Sequence, residues 1–334
     1  MPPVLGRVSH QLLTLLQLTR MALVFTAISN GLAALLLRAE LAGLEPASLD
    51  PWLIVATLAI AVGLYGFGMA LNDIIDRRRD RQIARSRPLP SGRIGVGAAM
   101  LVATLLLGLA LLGGLVFRER VDDGMVSLLL VILTAGLITA YDYTGKYLVW
   151  LGLLMLGLIR FFHTAIPAPE LPVVWHPLWL MNHVTIISAI AYRWEAKRPP
   201  LSRSQAWTLA AGLVLLNAAL IVAFFLRRGE SFAESLRLSP ALIPPVLAAA
   251  AFGVVGFLIK QRANDRRAAG KALILYGLLW LIVYDALFVA GYVDIRLGLA
   301  LMVLWPIAYL GVRLMRVWAV MTDLARKPEY IRAD

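Results

Sequence analysis

From Gly68 to Arg93 the sequence runs Gly68-Met-Ala-Leu-Asn72-Asp73-Ile-Ile-Asp76-Arg77-Arg-Arg-Asp80-Arg-Gln-Ile-Ala-Arg85-Ser-Arg87-Pro88-Leu-Pro90-Ser-Gly92-Arg93. No other stretch of the chain gathers as many groups able to do chemistry. In a helix that turns about 100° per residue, Asn72, Asp76, Asp80 and Asp73 point to about 0°, 40°, 80° and 100°. Four oxygen-bearing side chains therefore share one face, and three of them are carboxylates. Crowded acids repel one another and are driven to protonate unless a metal ion or a cationic cluster neutralises them. Mg²⁺ bound partly through substrate phosphates meets both needs, because it takes a few carboxylate oxygens and leaves its other positions to water or a diphosphate. The seven Arg between Arg77 and Arg93 would then face the phosphate oxygens. The plainer account is an Arg-rich loop laced with ion pairs that serves topology alone; topology requires the Arg but not the aligned Asn and Asp.

The elements that position this segment are membrane helices. Of 334 residues, 60% are hydrophobic and 16% charged, with a mean hydropathy of +0.78, more apolar surface than a soluble domain of this length can hide. Apolar runs near 20 residues recur, each long enough to cross about 30 Å of hydrocarbon as a helix. They are solidly apolar rather than alternating, which excludes a barrel. Runs bounded by charge, Pro or Gly place spans at roughly 12–37, 52–76, 94–117, 125–144, 148–166, 178–195, 206–226, 240–259, 272–291 and 297–318. The chemistry-bearing segment thus begins at the end of the second span. Within the fifth, Arg160 and His163 stand in an apolar run, where an ionisable residue is costly and faces a cavity or a partner; for His163 a hydrogen-bonded packing role is the simpler reading.

If the N-terminus is cytoplasmic, the loops on that side hold 23 Lys and Arg and the opposite loops seven, Arg38, Arg118, Arg120, Arg227, Arg228, Arg237 and Arg296. The positive-inside rule then puts both termini and the 77–93 loop in the cytosol, the inner membrane being the location in a bacterium. The net charge of +12 has the same origin and needs no nucleic-acid partner. Most of the nine Trp, among them Trp52, Trp150, Trp175, Trp194 and Trp207, fall near span ends as interfacial anchors. With no Cys, disulfide and thiolate chemistry are excluded. Met1 to Gln11 carries one Arg and no small-residue cleavage site, so no removed signal peptide is expected.

Asn72-Asp73-x-x-Asp76-x-x-x-Asp80 followed by Arg87-Pro88-Leu89-Pro90-Ser91-Gly92 resembles the first Asp-rich motif of the UbiA prenyltransferases and the Arg-Pro-Leu-Pro-Ser-Gly segment after it. The resemblance implies that Asn72, Asp73, Asp76 and Asp80 hold Mg²⁺ against an isoprenyl diphosphate. Arg20 and Asn30 sit where the family has an Arg and, further in, an Asn, which makes Asn30 a candidate substrate contact; a helix-packing polar group is the alternative. Tyr141-Asp142-Tyr143-Thr144-Gly145-Lys146 is similar to the family's Tyr and Lys pair between spans 4 and 5, closest to its archaeal-lipid branch. Lys146 can hold a phosphate as a point charge or serve as one more positive-inside anchor. Arg85, Arg87 and Lys146 are the expected phosphate contacts, and Tyr141 or Tyr143 can steady an allylic cation with its ring face. Gly157-Leu-Ile-Arg160-Phe-Phe-His163 resembles a Gly-Leu-Cys-Arg-x-x-Asn stretch of less characterised UbiA-like branches, and Asp285 in span 9 fits there too.

The sequence departs from the family where the second Asp-rich motif belongs. Between spans 6 and 7 it reads Ala191-Tyr192-Arg193-Trp194-Glu195-Ala196-Lys197-Arg198-Pro199, with Glu195 as the single carboxylate. Glu195 is expected either to replace the missing motif beside the diphosphate, with Asp265 as a further helper, or to be an ion-pair residue at a helix end. The expectation is an all-α, polytopic membrane bundle, one domain over residues 1–334, of nine or ten helices around a central cavity. The cytosolic loops after spans 2 and 6 would cap it. Its expected reaction is Mg²⁺-dependent transfer of a prenyl group from an isoprenyl diphosphate to an aromatic or lipid-alcohol acceptor in the bilayer, with Lys146, Tyr143 and Arg160 in the catalytic roles. A non-catalytic isoprenoid-binding or transport protein is the alternative. A phosphatidyltransferase is disfavoured by the absence of Asp-Gly-x-x-Ala-Arg, and no internal repeat speaks for a transporter.

Overall fold

The structure, a computed structural model, describes residues 3–228 and 238–324. Arg237 and the basic residues after Leu324, used in the charge count above, lie outside them. The described residues form α-helices joined by short turns: α1 (Pro3–Leu18), α2 (Phe25–Leu41), α3 (Pro51–Ile83), α4 (Val96–Arg120), α5 (Gly124–Tyr143), α6 (Val149–Ala165), α7 (Trp175–Trp194), α8 (Arg203–Arg228), α9 (Ile243–Arg262), α10 (Arg266–Tyr292), α11 (Ile295–Met302) and α12 (Leu304–Leu324). Among them eight stretches are long and apolar enough to cross a membrane, α11 and α12 together making one. The 17-residue α6 is also apolar, and α7 has membrane length over 20 residues. The protein is an integral, multi-pass membrane bundle.

The first expected span is corrected by the structure. A single run over 12–37 is broken in two, because Arg20 adopts the left-handed conformation (φ 46°, ψ 39°) and a 3₁₀ turn, Met21–Leu23, follows. That conformation costs a non-glycine residue about 1–2 kcal/mol. Apolar periodicity alone could not report it, since Leu, Thr and Met continue the pattern through the bend. The membrane-length element starts at Met21, and α1 is a separate helix touching α3 and α12.

Helix α3 explains where the chemistry stands. Asp50 caps it, accepting from the Trp52 backbone N–H at 2.9 Å, with Pro51 at the first helical position. Its 33 residues span about 50 Å, well beyond the hydrocarbon thickness. About 20 residues suffice to cross, so a crossing that begins at Pro51 is complete near Leu71, and Asn72 to Asp80 lie on the part of α3 beyond it. Gly63 lets α3 lie directly on the α4 backbone at Leu106 and Ala110, where a side chain would collide.

Packing runs in a closed circuit, α3 on α4, α4 on α5, α5 on α6, α6 on α7, α7 on α10, α10 on α2 and α2 back on α3. Helices α2, α3 and α10 are more than half buried, whereas α8, α9 and α12 are mostly exposed and pack outside the circuit against α6, α10 and α2. The exposed apolar residues of α4, α8, α9 and α12, such as Leu105, Leu215, Val254 and Leu314, make the lipid-facing surface, as expected of a chain dissolved in a bilayer.

Candidate active site

The mouth of the circuit is assembled from the projecting end of α3, the 84–95 loop, the bend at Arg20 and the α5–α6 turn. Arg87 Nη1 donates to Asp80 Oδ2 at 2.6 Å and approaches Asp73 Oδ1 at 3.5 Å. Arg20 Nη2 donates to the same Asp73 oxygen at 3.3 Å. Lys146 Nζ lies 2.8 Å from Asp76 Oδ1, 3.3 Å from Asn72 Oδ1 and 3.5 Å from Asp142 Oδ1. Asp73, Asp80 and Asp142 are buried, so each is held as a paired ion rather than a solvated one.

Local sequence explains this placement. The Arg-Pro-Leu-Pro segment turns back onto α3 because Leu89 is buried (8% exposed) in the cluster that holds Ile74, Ala99 and Ala103. Gly92, at φ 71°, supplies the left-handed backbone that ends the turn. With Leu89 seated, Arg87 is brought back over Asp80, seven residues earlier. The Arg93 guanidinium reaches Gln17 of α1 at 2.6 Å and ties that helix to the loop.

The acids of the aligned face do not all meet at one point. Among the described residues no three His, Asp or Glu side chains are grouped to enclose a metal ion. The face divides into two rows, Asp73 with Asp80 on one and Asn72 with Asp76 on the other. Helical geometry accounts for it: residues seven apart return to within about 20° of each other and residues four apart to within about 40°. Each row has its own cation, and an ion held partly by phosphates needs only one or two protein carboxylates.

Other expected residues fall elsewhere. Arg85 is exposed and donates back to the Arg81 carbonyl at 3.2 Å, so the structure does not bring it to the mouth. Tyr143 is 60% exposed, while Tyr141 is partly buried and feels the charges of Asp142, Asp76 and Arg20; of the two rings, Tyr141 belongs to the site. Glu195 pairs with Lys197 at 3.3 Å and packs on Gly270 of α10, the ion-pair arrangement. Asp265 caps α10, accepting from the Ala268 backbone N–H at 2.6 Å. Asp142 was missed by sequence reasoning, although its spacing of four from Lys146 is an ion-pair signal.

A second polar cluster lies inside the bundle. Arg160 Nη1 donates to Asn30 Oδ1 at 2.6 Å, Asn30 Nδ2 donates to Asp285 Oδ2 at 2.5 Å, and His176 Nε2 meets Asp285 Oδ1 at 2.7 Å. Asn30 and Asp285 are wholly buried. Tyr65 connects the clusters, its hydroxyl reaching the Arg20 carbonyl at 3.5 Å while it feels the charge of Arg160. Asn30 is therefore not a mouth residue but a bridge between α6 and α10.

Comparison with known proteins places this arrangement. Residues 32–181 match the UbiA prenyltransferase family. No curated protein matches the sequence. Among solved structures, one reported for digeranylgeranylglyceryl phosphate synthase in membranes is 18% identical and superposes with a TM-score of 0.57, over 86% of this chain and 99% of that one. A UbiA homolog from Archaeoglobus fulgidus bound to GPP and Mg²⁺ is 16% identical with a TM-score of 0.55, again over 86% and 99%. By sequence, residues 32–181 thus match the UbiA prenyltransferase family, and by fold the chain resembles these two solved structures across most of its length.

Proposed function

We propose that this protein transfers a prenyl group from an isoprenyl diphosphate, bound with Mg²⁺ at the cytosolic mouth, to an acceptor that meets it inside the bundle. The observation that carries the reading is the charge inventory of the mouth. Three cations, Arg20, Arg87 and Lys146, are interleaved with four carboxylates, Asp73, Asp76, Asp80 and Asp142. The carboxylate in excess suits a divalent cation, and the Arg and Lys, already at the carboxylates, suit phosphate oxygens. The donor set thus fits Mg²⁺ held largely through phosphate oxygens, with one or two of Asp73, Asp76 and Asp80, or Asp76 with the Asn72 amide oxygen, as its protein partners. When bound, the ion would supply positive charge to offset the negative charge that grows on the leaving diphosphate.

Arg20, Arg87 and Lys146 then turn from the carboxylates to the diphosphate and stabilise the charge that grows on it. The bond between C1 of the prenyl chain and the diphosphate oxygen breaks, its electron pair leaving with the diphosphate. The acceptor's nucleophile bonds to C1, and its proton passes to water at the mouth. Tyr141 offers a ring face to the positive charge at C1, and the enclosed apolar interior keeps water from intercepting it. The test is diphosphate release by the purified protein from a panel of prenyl diphosphates with Mg²⁺ and a membrane lipid extract. Release that needs both Mg²⁺ and Asp73 supports the reading; no release from any chain length refutes it. Untargeted lipid analysis of cells lacking the protein would identify the acceptor.

A further inference from the structure

The polar cluster inside the bundle has a surplus of donors. A guanidinium carries five N–H groups. Among the described residues Arg160 spends one, on the Asn30 oxygen. It does not pair directly with Asp285, whose two oxygens are taken by Asn30 and His176. Asn30 holds the two charges apart, where a cluster built only for packing would close them into a direct pair. His163, three residues on and within electrostatic reach of Arg160, is buried with neither ring nitrogen partnered. Arg160 is surrounded by helices but keeps some accessible surface. Unmet donors at this depth are costly, and what meets them must be rich in acceptor oxygens.

We infer that Arg160, with His163 beside it, forms an intramembrane oxyanion site that receives the acidic head, carboxylate or phosphate, of the acceptor. The inference rests on reading the mouth as the diphosphate site. It places the acceptor's anionic end deeper than the diphosphate: Tyr65, within electrostatic reach of Arg160, lies about 12 Å along α3 from Asp73 at 1.5 Å per residue. An acceptor whose nucleophile approaches the mouth while its acidic end rests on Arg160 would be oriented for attack at C1. Asp285 then sets the strength of the site, because its charge, relayed through Asn30, partly offsets that of Arg160. Arg160 is on this account a positioning residue.

The test uses the full chain in phosphatidylcholine nanodiscs and reads binding by tryptophan fluorescence, corrected against empty nanodiscs. Probes of matched chain length are dodecanoate, dodecyl phosphate and neutral dodecanol, with GPP plus Mg²⁺ titrated separately. At least one anionic probe should bind about tenfold more weakly to Arg160→Gln than to the parent, with dodecanol indifferent to the change. Which anion responds tells a carboxylate acceptor from a phosphate one. Asp285→Asn, of the same shape, should act in the opposite direction and tighten the anion, which a purely structural role for the cluster does not predict. Should Arg160→Gln fail to fold, Asp285→Asn decides alone. Equal anion affinity in the parent and Arg160→Gln, or weakening in Asp285→Asn, overturns the inference. Failure of GPP and Mg²⁺ to bind the parent, alongside anion binding that depends on Arg160, would refute the mouth reading and support the interior site.

Discussion

Lys146 stands 2.8 Å from Asp76, although 70 residues separate them in sequence and they come from different elements. The contact joins the projecting end of α3 to the turn between α5 and α6, and it places a cation where a diphosphate would displace it from its carboxylate. The same ammonium lies 3.5 Å from buried Asp142, so one charge serves acids on two helices.

Removing that charge should therefore be felt twice. Lys146→Met leaves Asp142 and Asp76 without their cation, and a loss of about 3 kcal/mol in stability is expected, as for other broken buried pairs. Lys146→Met with Asp142→Asn should regain much of the melting temperature without regaining turnover. Recovery of both together would show Lys146 to be structural alone.

Asp73→Asn and Asp76→Asn should each lower diphosphate release by orders of magnitude with the melting temperature little changed, and excess EDTA should do the same to the parent protein. Turnover near the parent's in either variant would remove the Mg²⁺ site from this face of α3.

Leu89 touches no substrate in the proposed mechanism, yet it seats the loop that carries Arg87. Leu89→Ala should cost about 2–3 kcal/mol, as for other buried Leu. It should also raise KM for the prenyl diphosphate more than it lowers kcat, because Arg87 loses its fixed approach to the mouth. Steady-state kinetics across diphosphate concentrations would read the split, and an unchanged KM would disconnect the loop from binding.

How much was legible in the sequence depended on the range of the interaction. The spans were readable because bilayer thickness sets a length that composition reports directly. The acidic face was readable from helical spacing, and Arg87 from the segment that follows it. Three things were not. The break at Arg20 is a backbone event inside an uninterrupted apolar pattern. Which cation meets each row, Arg20 and Arg87 for Asp73 and Asp80 and Lys146 for Asp76, was hidden because those cations come from the bend before α2, the 84–95 loop and the α5–α6 turn. The chain of Asn30, Arg160, Asp285 and His176 joins four helices between 30 and 285, so single residues in separate apolar runs gave only the expectation that each has some partner.

The charge asymmetry of the loops predicts that the 84–95 loop faces the cytosol and the α2–α3 turn the opposite side. Ser91 and Ser48 are both exposed and lie beyond opposite ends of α3, and the chain has no Cys. Ser91→Cys and Ser48→Cys should react with an impermeant thiol reagent from opposite sides of a sealed membrane. Labelling of both from one side would refute this topology.

The length of α3 carries a further consequence. Since the helix crosses the hydrocarbon in its first twenty or so residues and raises Asn72 to Asp80 just above it, the vertical position of these groups is tied to bilayer thickness. In a membrane several ångströms thicker, the carboxylates would be drawn toward the acyl chains unless the helix tilted less or the lipids thinned around it. The lipid composition of the host membrane would then act as a rheostat, raising or lowering the diphosphate-binding groups relative to the headgroup plane from which the substrate arrives.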